Sequence, residues 1–348
     1  MDHPDERPVL AIDLGGTQIR AAIITPDAAV HFRRSASTRD EDGPESVIAR
    51  IVEVASEVLI EAAEAGLPAP VGVGLSSPGP LDRWRGIVLS PPNLQGWRDV
   101  PLAERIATEL DLPAFLERDT NVALMAEWLY GAAAGTRDAI YITVSTGVGG
   151  AVVSAGQPLL GSGGLAGEIG HIVVELDGPT CGCGGIGHVE AISSGTGIAR
   201  QARDLLANEA APGLARLAAS GEPVDAELVA RAADGGDEAC AVLLARAWTP
   251  IGAVCASLVN LLNPEVIVIG GGIAEHRPRL LEVACRELDR RVLPALAGSV
   301  RIEPASLGGD VSLIGLLPIV NDRINDPALS FGSQGSRTAA AAQGAPLS

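Results

Sequence analysis

Lysine is absent from all 348 residues; the 25 basic side chains are arginine throughout. That excludes a GxxxxGK[ST] phosphate loop, a Schiff-base lysine and a lysine general base. Any phosphate handled here must be met by backbone N–H groups, arginine or a metal ion. Positive charge is also outnumbered: 43 Asp and Glu leave a formal net charge of −18, which argues against a nucleic-acid-binding surface. No uninterrupted apolar stretch approaches the roughly 20 residues that span a bilayer, so no membrane association is expected. The opening MDHPDERPVL is acidic and polar, unlike a secretory h-region. Cysteines number only five, which suits a reducing cytosol and a cytoplasmic protein. Three of them, Cys240, Cys255 and Cys285, fall in apolar helical patterns and are expected as buried thiols.

What is present is a globular composition, 47% hydrophobic and 20% charged, in a chain long enough for two domains with cores of their own.

The densest chemistry lies in residues 161–193, GSGGLAGEIGHIVVELDGPTCGCGGIGHVEAIS. His171, Cys181, Cys183 and His188 follow one another as His-x9-Cys-x-Cys-x4-His. Four such donors suit one Zn²⁺ in a closed tetrahedron, a structural ion with no position left for water. Glu168 and Glu190 flank the knot, and a metal clip between them would fix where two carboxylates point, as a polar small-molecule site requires. The plainer alternative is a Gly-rich surface loop with scattered Cys and His. A histidine at short spacing on both sides of the Cys-x-Cys pair favours zinc.

Three glycine tips punctuate the rest. PVLAID (8–13) reads as a buried strand, followed by the turn LGGT and a second strand, IRAAII (19–24). Gly15 and Gly16 permit the tight turn, and Asp13 ends the strand where a carboxylate can reach a hydrated Mg²⁺. The same residues also suit an ordinary hairpin with an acidic turn. AIYITVSTGVGGAVVSAG (139–156) repeats the strand–turn–strand design, which suggests a duplicated fold with two facing loops. VIVIGGGIAE (266–275) runs a β-branched strand into three glycines and a helix, where backbone can pack flat on a planar or phosphate-bearing ligand. Together the three tips point to a nucleotide cleft.

Helical spacing marks 44–66, closed by Gly66, and 277–292; 237–265 is a long apolar helix interrupted by Pro250. VGVGLSSPGPLD (71–82) is a strand entering a turn, and SPPNLQGWRDVPL (90–102) offers Asn93 and Trp97 as ligand contacts. LPAFLERDTNVALMAEW (112–128) is a strand that becomes a helix near Asp119 and Thr120, either of which also suits an N-cap. Residues 193–206 open a helical region, 208–228 read as short helices joined by turns, and 299–320 give a last strand and a helix.

On these residues the chain resembles the ROK family, the bacterial sugar kinases and repressors of the actin-like ATPase superfamily. The likeness runs from about Pro8 to Val320. VSTGVGGAVVSAGQPLLGSGGLAGEIGH (144–171) fits the family signature through to its terminal basic residue. AIDLGGT looks like the family's first phosphate motif, VSTGVGG its second, and VIVIGGGIAE is similar to its adenosine motif.

The resemblance implies two actin-like (ribonuclease H-like) α/β domains with a cleft between them. The expected boundaries are 1–118 plus about 309–326 for a small N-terminal domain and 119–308 for a large C-terminal domain with the zinc-bound loop. A disordered tail is expected at 327–348. It implies ATP-dependent phosphorylation of a hexose, with Asp119 as general base on the sugar hydroxyl. Asn93, Glu168, His171 and Glu190 would hydrogen-bond the sugar, Gly15, Gly16, Thr17, Thr146 and Gly147 would line the phosphates, and Gly271 and Gly272 the adenosine. Asp13 would help hold Mg²⁺, and His171 could serve both zinc and sugar. A homodimer or homotetramer is implied as well.

Two positions depart from the family pattern. His188 stands where the knot commonly ends in a third Cys. Arg118-Asp119 replaces the usual Asn-Asp, which puts a long cation, Arg118, at a sugar-contacting position. Glucose, giving glucose 6-phosphate, is the leading substrate; N-acetylglucosamine, N-acetylmannosamine, mannose, fructose and allose are the alternatives, and polyphosphate is an alternative donor. A non-catalytic sugar sensor is the other reading. A transcriptional regulator is disfavoured by the acidic charge and by the seven residues that precede Pro8, too few for a helix-turn-helix.

Overall fold

In the computed structural model, which describes residues 7–324, two five-stranded sheets share one topology. The first begins with the expected hairpin, β1 (Val9–Leu14) and β2 (Gln18–Ile24), and continues antiparallel into β3 (Val30–Ser37). The helix α1 (Pro44–Glu64) then crosses to β4 (Val73–Ser77). A small ribbon, β5 (Leu81–Asp82) with β6 (Ile87–Val88), precedes α2 (Leu102–Leu110) and β7 (Ala114–Arg118). The order is β3-β2-β1-β4-β7, with β4 parallel to both β1 and β7.

Every residue of β1, VLAIDL, is buried, as in a strand covered on both faces. Its alternation decides which core each side chain enters. Leu10 and Ile12 pack with Ile51 of α1 and Ile106 of α2, whereas Val9 and Ala11 pack with Leu316, Leu317 and Val320. α1 begins with proline at its first turn, keeps Val47, Ile51, Val54 and Val58 on its buried face, and is followed by Gly66 at φ +80°.

β7 runs directly into α3 (Asp119–Tyr130), which leads to the second sheet. Here β8 (Ala139–Val144), β9 (Val148–Ser154) and β10 (Gln157–Pro158) repeat the antiparallel start. Then come α4 (Val189–Ser193), α5 (Gly195–Ala207), α6 (Pro212–Ala218), α7 (Ala226–Asp234) and α8 (Glu238–Leu262). β11 (Val266–Gly270), α9 (Gly272–His276), α10 (Arg279–Asp289) and β12 (Arg301–Pro304) complete the order β10-β9-β8-β11-β12. By length and apolarity α8 could cross a bilayer, but 67% of its apolar window is buried, with Ile251, Val254 and Val259 in the core under β8 and β11. Cys240 and Cys255 are buried as expected; Cys285 is only half-buried.

The chain then returns to the first sheet through α11 (Val311–Ile314) and α12 (Leu316–Arg323). The single helix expected here is divided at Gly315, which lies so close to α3 that a Cβ would sit 1.9 Å from the Val122 carbonyl oxygen. α3 therefore touches both halves: Ala123 and Leu124 pack under β8 and β9, while Val122 packs with Leu313 and Leu316. The tail expected at 327–348 lies outside the described residues.

Candidate active site

Where the β1–β2 turn, the start of α3 and the Gly271 turn converge, a cavity of about 310 Å³ opens. Its wall includes Asp13, Gly15, Gly16, Asn93, Asp119 and Gly271, drawn from four stretches of the chain. The other sequence-derived site residues, Thr17, Thr146, Gly147, Gly272, Arg118, Glu168, His171 and Glu190, stand off this wall. Trp97, expected beside Asn93 as a ligand contact, is instead buried in the first sheet's core, where its large apolar ring is removed from water.

The first turn is fixed in place by its neighbours. A Cβ on Gly16 would come 3.0 Å from the Asn93 carbonyl oxygen, so glycine is what lets this loop approach. Thr38, fully buried, donates its hydroxyl to the Gly15 carbonyl (2.7 Å) and its amide to the Thr17 carbonyl (2.8 Å). Asp13 and Arg20 face each other in the hairpin register, with Arg20 Nη2 donating to Asp13 Oδ2 at 2.5 Å. Arg20 also donates to Ser312 Oγ at 2.7 Å and to the Gly309 carbonyl, tying the turn to α11. Sequence reasoning passed over Arg20, Thr38 and Ser312, although arginine in a lysine-free chain was a signal for Arg20.

Asp119 is the first residue of α3 and accepts the Thr120 amide on Oδ1 at 2.7 Å. Burial at the cleft floor pushes its carboxyl up to about 6. The Thr120 amide and Arg118 oppose this, while the negative charges of Asp13 and Glu168 reinforce it. Behind it, Glu117 fixes the strand-to-helix junction. Its Oε1 accepts the Arg118 amide (3.0 Å) and Asn121 Nδ2 (2.9 Å); its Oε2 accepts Arg83 (2.6 Å) and Arg323.

Arg118 is only 4% exposed, and its guanidinium turns to the 161–168 loop, pairing with Glu168 and donating to the Ala166 carbonyl at 2.6 Å. The other Glu168 oxygen lies 3.8 Å from His171 Nε2, whose ring presents Nδ1 3.9 Å from Cys181 Sγ. Cys183 Sγ and His188 Nδ1 are 3.3 Å apart, and one donor atom from each of His171, Cys181, Cys183 and His188 falls within 4.8 Å of all the others. Metal–ligand bonds of about 2.0–2.3 Å put tetrahedral donors roughly 3.3–3.8 Å apart, so this donor set fits one zinc-sized cation after slight contraction. Burial, with the nearby Glu190 charge adding to it, pushes the Cys181 thiol up to about 11; a bound cation would reverse that.

Glu190 accepts the Val148 amide at 3.0 Å and lies so close to Gly147 that a Cβ there would meet its carboxylate at 2.7 Å. The second turn is bolted to the start of α5 by Gly195 N to Ser145 O (2.8 Å) and Thr196 N to Thr146 O (3.2 Å). Gly271, at φ +91°, packs onto Thr143 and Val144, and Gly272 sits beside Ser145. The adenosine-type turn and the second phosphate-type turn are thus neighbours.

The ROK family model matches residues 9–323. The chain is 33% identical over 316 residues to a glucokinase of Thermotoga maritima, covering 91% of this chain and 98% of that one. It is 36% identical over 276 residues to an N-acetylmannosamine kinase of Escherichia coli O157:H7, covering 78% and 86%. A crystal structure of a ROK family glucokinase from Streptomyces griseus, in complex with glucose and AMPPNP, superposes with a TM-score of 0.76 at 27% identity, over 90% of this chain and 98% of that one. The chain belongs to the ROK family.

Proposed function

We propose that this protein is an ATP-dependent hexose kinase with glucose as its first-choice acceptor. The observation that carries the reading is the position and acidity of Asp119. Its carboxyl, lifted to about 6, stands on the same cavity wall as the Gly15–Gly16 turn and Asn93. A general base works best with a pKa near the operating pH, and this carboxylate is ionised at neutrality yet basic enough to accept a proton.

In the reaction the sugar hydroxyl oxygen bonds to the γ-phosphorus of ATP as the bond to the β-phosphate oxygen breaks and ADP leaves. The hydroxyl proton passes to Asp119; Oδ1 is engaged by Thr120 N–H, so Oδ2 is the accepting atom. Phosphoryl transfer asks mainly for placement and charge stabilisation. Gly15 closes the first turn through its amide on the Gln18 carbonyl (3.0 Å), which leaves the amides of Gly16 and Thr17, with those of Thr146 and Gly147, to cradle phosphate oxygens, and Gly271 and Gly272 lie flat against the adenosine. Asn93, Glu168, His171 and Glu190 supply the acceptors and donors for the sugar edge. Asp13 would help hold Mg²⁺, which when bound would supply charge neutralisation at the phosphates. His171, Cys181, Cys183 and His188 would hold a structural Zn²⁺, which would steady the loop that carries Glu168 and Glu190. A cytoplasmic location and a homodimer or homotetramer are part of the same reading.

An N-acetylhexosamine acceptor is the second reading, supported by the 36% identity to an N-acetylmannosamine kinase. A coupled ADP-release assay over a panel of hexoses and N-acetylhexosamines tests both. Turnover with glucose supports the first, turnover confined to N-acetylated sugars the second, and no turnover with any sugar rejects the kinase.

A further inference from the structure

Arg118 closes β7 in the first half of the molecule, and its guanidinium reaches into the second. Nη1 pairs with Glu168 Oε1; Nη2 donates to the Ala166 carbonyl at 2.6 Å and lies 3.4 Å from the Gly150 carbonyl on β9. Asn121 Oδ1, on the first turn of α3, is a further acceptor at 3.3 Å. These bonds engage both terminal nitrogens with protein acceptors, leaving the buried Nε without one, and the residue does not line the 310 Å³ cavity.

Beyond Arg118 the segment is held mainly at its end, where the Gly167 and Glu168 carbonyls accept the Ile169 (2.7 Å) and His171 (3.1 Å) amides, and at Gly164, which is buried beside Arg83 and Trp84. Gly161, Gly164 and Gly167 all have positive φ, the segment belongs to no strand, and its internal ties are Ala166 N to Leu160 O (3.0 Å) and Gly164 N to Gly161 O (3.4 Å). Gly167 lies flat on the guanidinium, where a Cβ would come 3.2 Å from Arg118 Nη2. The Glu168 side chain is 44% exposed, so its own packing does not set its direction. A glycine-rich segment of this kind opens at low free-energy cost unless it is tied down. A buried arginine that bonds both a carboxylate and the carbonyl two residues before it provides that tie, because its planar fork fixes direction as well as distance.

We propose that Arg118 is a positioning residue for sugar binding: it clasps the 161–168 loop to the start of the catalytic helix and aims Glu168 at the sugar without touching the sugar. The kinetic consequence rests on the hexose-kinase reading above; the ordering of the loop does not.

Two measurements separate these. Amide hydrogen exchange on the substrate-free protein compares wild type with Arg118→Met, Arg118→Lys and Glu168→Gln. The clasp predicts at least tenfold faster exchange across 161–168 in Arg118→Met and Glu168→Gln, with α1 and α8 unchanged and Arg118→Lys in between. Glu168→Gln, at a half-exposed side chain, keeps this arm decisive if the buried Arg118→Met substitution unfolds the protein. Steady-state kinetics then predict a sugar KM at least tenfold higher in Arg118→Met, with ATP KM and kcat within about threefold, partial recovery in Arg118→Lys, and a double variant no worse than Glu168→Gln alone. Unchanged loop exchange overturns the proposal. So does a loss confined to kcat, or a double variant whose loss is the product of the single ones, since that would mean Arg118 acts independently of Glu168. Loosened exchange in a protein that phosphorylates no sugar would support the clasp while rejecting the kinase reading.

Discussion

Glu190 bridges two parts of the site: Oε2 accepts the Val148 amide at 3.0 Å, and Oε1 lies 3.5 Å from Cys181 Sγ. One side chain thus joins the second phosphate-type turn to the metal-ligand cluster, and His171 joins that cluster to Glu168 on its other side. Whatever fixes the cluster fixes Glu190 directly and, through the 3.8 Å approach of His171, adds to the hold that Arg118 has on Glu168.

Metal removal is therefore expected to loosen sugar binding more than nucleotide binding. Metal analysis of the purified protein should give about one zinc per chain. Chelation should lower Tm, speed hydrogen exchange over 168–190 and raise the sugar KM several-fold, with ATP KM little changed. Active protein with only traces of zinc would contradict this.

As the proposed base, Asp119 would set the acid limb of the pH profile. It must be ionised to accept a proton, and burial has raised it to about 6. kcat/KM is expected to fall about tenfold per unit below pH 6 and to be flat above pH 7 as far as this group is concerned. Asp119→Ala should reduce kcat by at least 10³ while sugar binding, measured by calorimetry, stays within a few-fold. Near-wild-type kcat would remove Asp119 as the base.

The same shift has a sign for stability. A carboxyl raised from 3.8 to about 6 stabilises the fold while it is protonated, and that contribution is lost as pH rises through about 6. Above that pH the ionised, half-buried group costs about 2 kcal/mol, discounted for the solvent that reaches it in the cleft. Asp119→Asn should therefore be inactive yet more stable than wild type at pH 7 to 8. The gain should shrink to nothing below pH 4. Urea unfolding at both pH values checks it.

Glu117 sits between Arg83 and Arg323, all three nearly inaccessible to solvent. Arg323 also donates to the Leu116 carbonyl at 2.9 Å, so α12 is locked to β7, the strand that runs into α3 at Asp119. Glu117→Ala leaves two buried guanidinium groups without their carboxylate and is expected to cost about 3–5 kcal/mol of stability. Replacing Arg85, exposed on the neighbouring turn, should cost under about 0.5 kcal/mol.

The frame was legible because its signals are local. Continuous apolar runs marked β1 and β11, glycine pairs marked the turns, and helical spacing marked α1, α8 and α10. Asp119 was legible as a strand-to-helix junction, and the four metal-ligand types by spacing alone. The interior of the site was not. Nothing in the order of residues says that Thr38 fastens the turn at 15–17, because the two are joined only by folding. Nor does it say that Arg118 turns from the cleft to Glu168, since a long side chain at a strand end can point either way. Trp97 was misread for a related reason: an aromatic in a loop looks like a ligand contact until the core beneath it is seen to need filling. Gly315, which divides the last helix, owes its place to Val122 on a helix nearly two hundred residues earlier.

The most direct test is a crystal structure of the protein with glucose and a non-hydrolysable ATP analogue. Asp119 Oδ2 is expected within about 3 Å of the sugar hydroxyl that faces the γ-phosphate, with the phosphates against the turn at 15–17. A bound sugar whose phosphate-facing hydroxyl is met by a different group, with Asp119 beyond hydrogen-bond reach, would contradict the account.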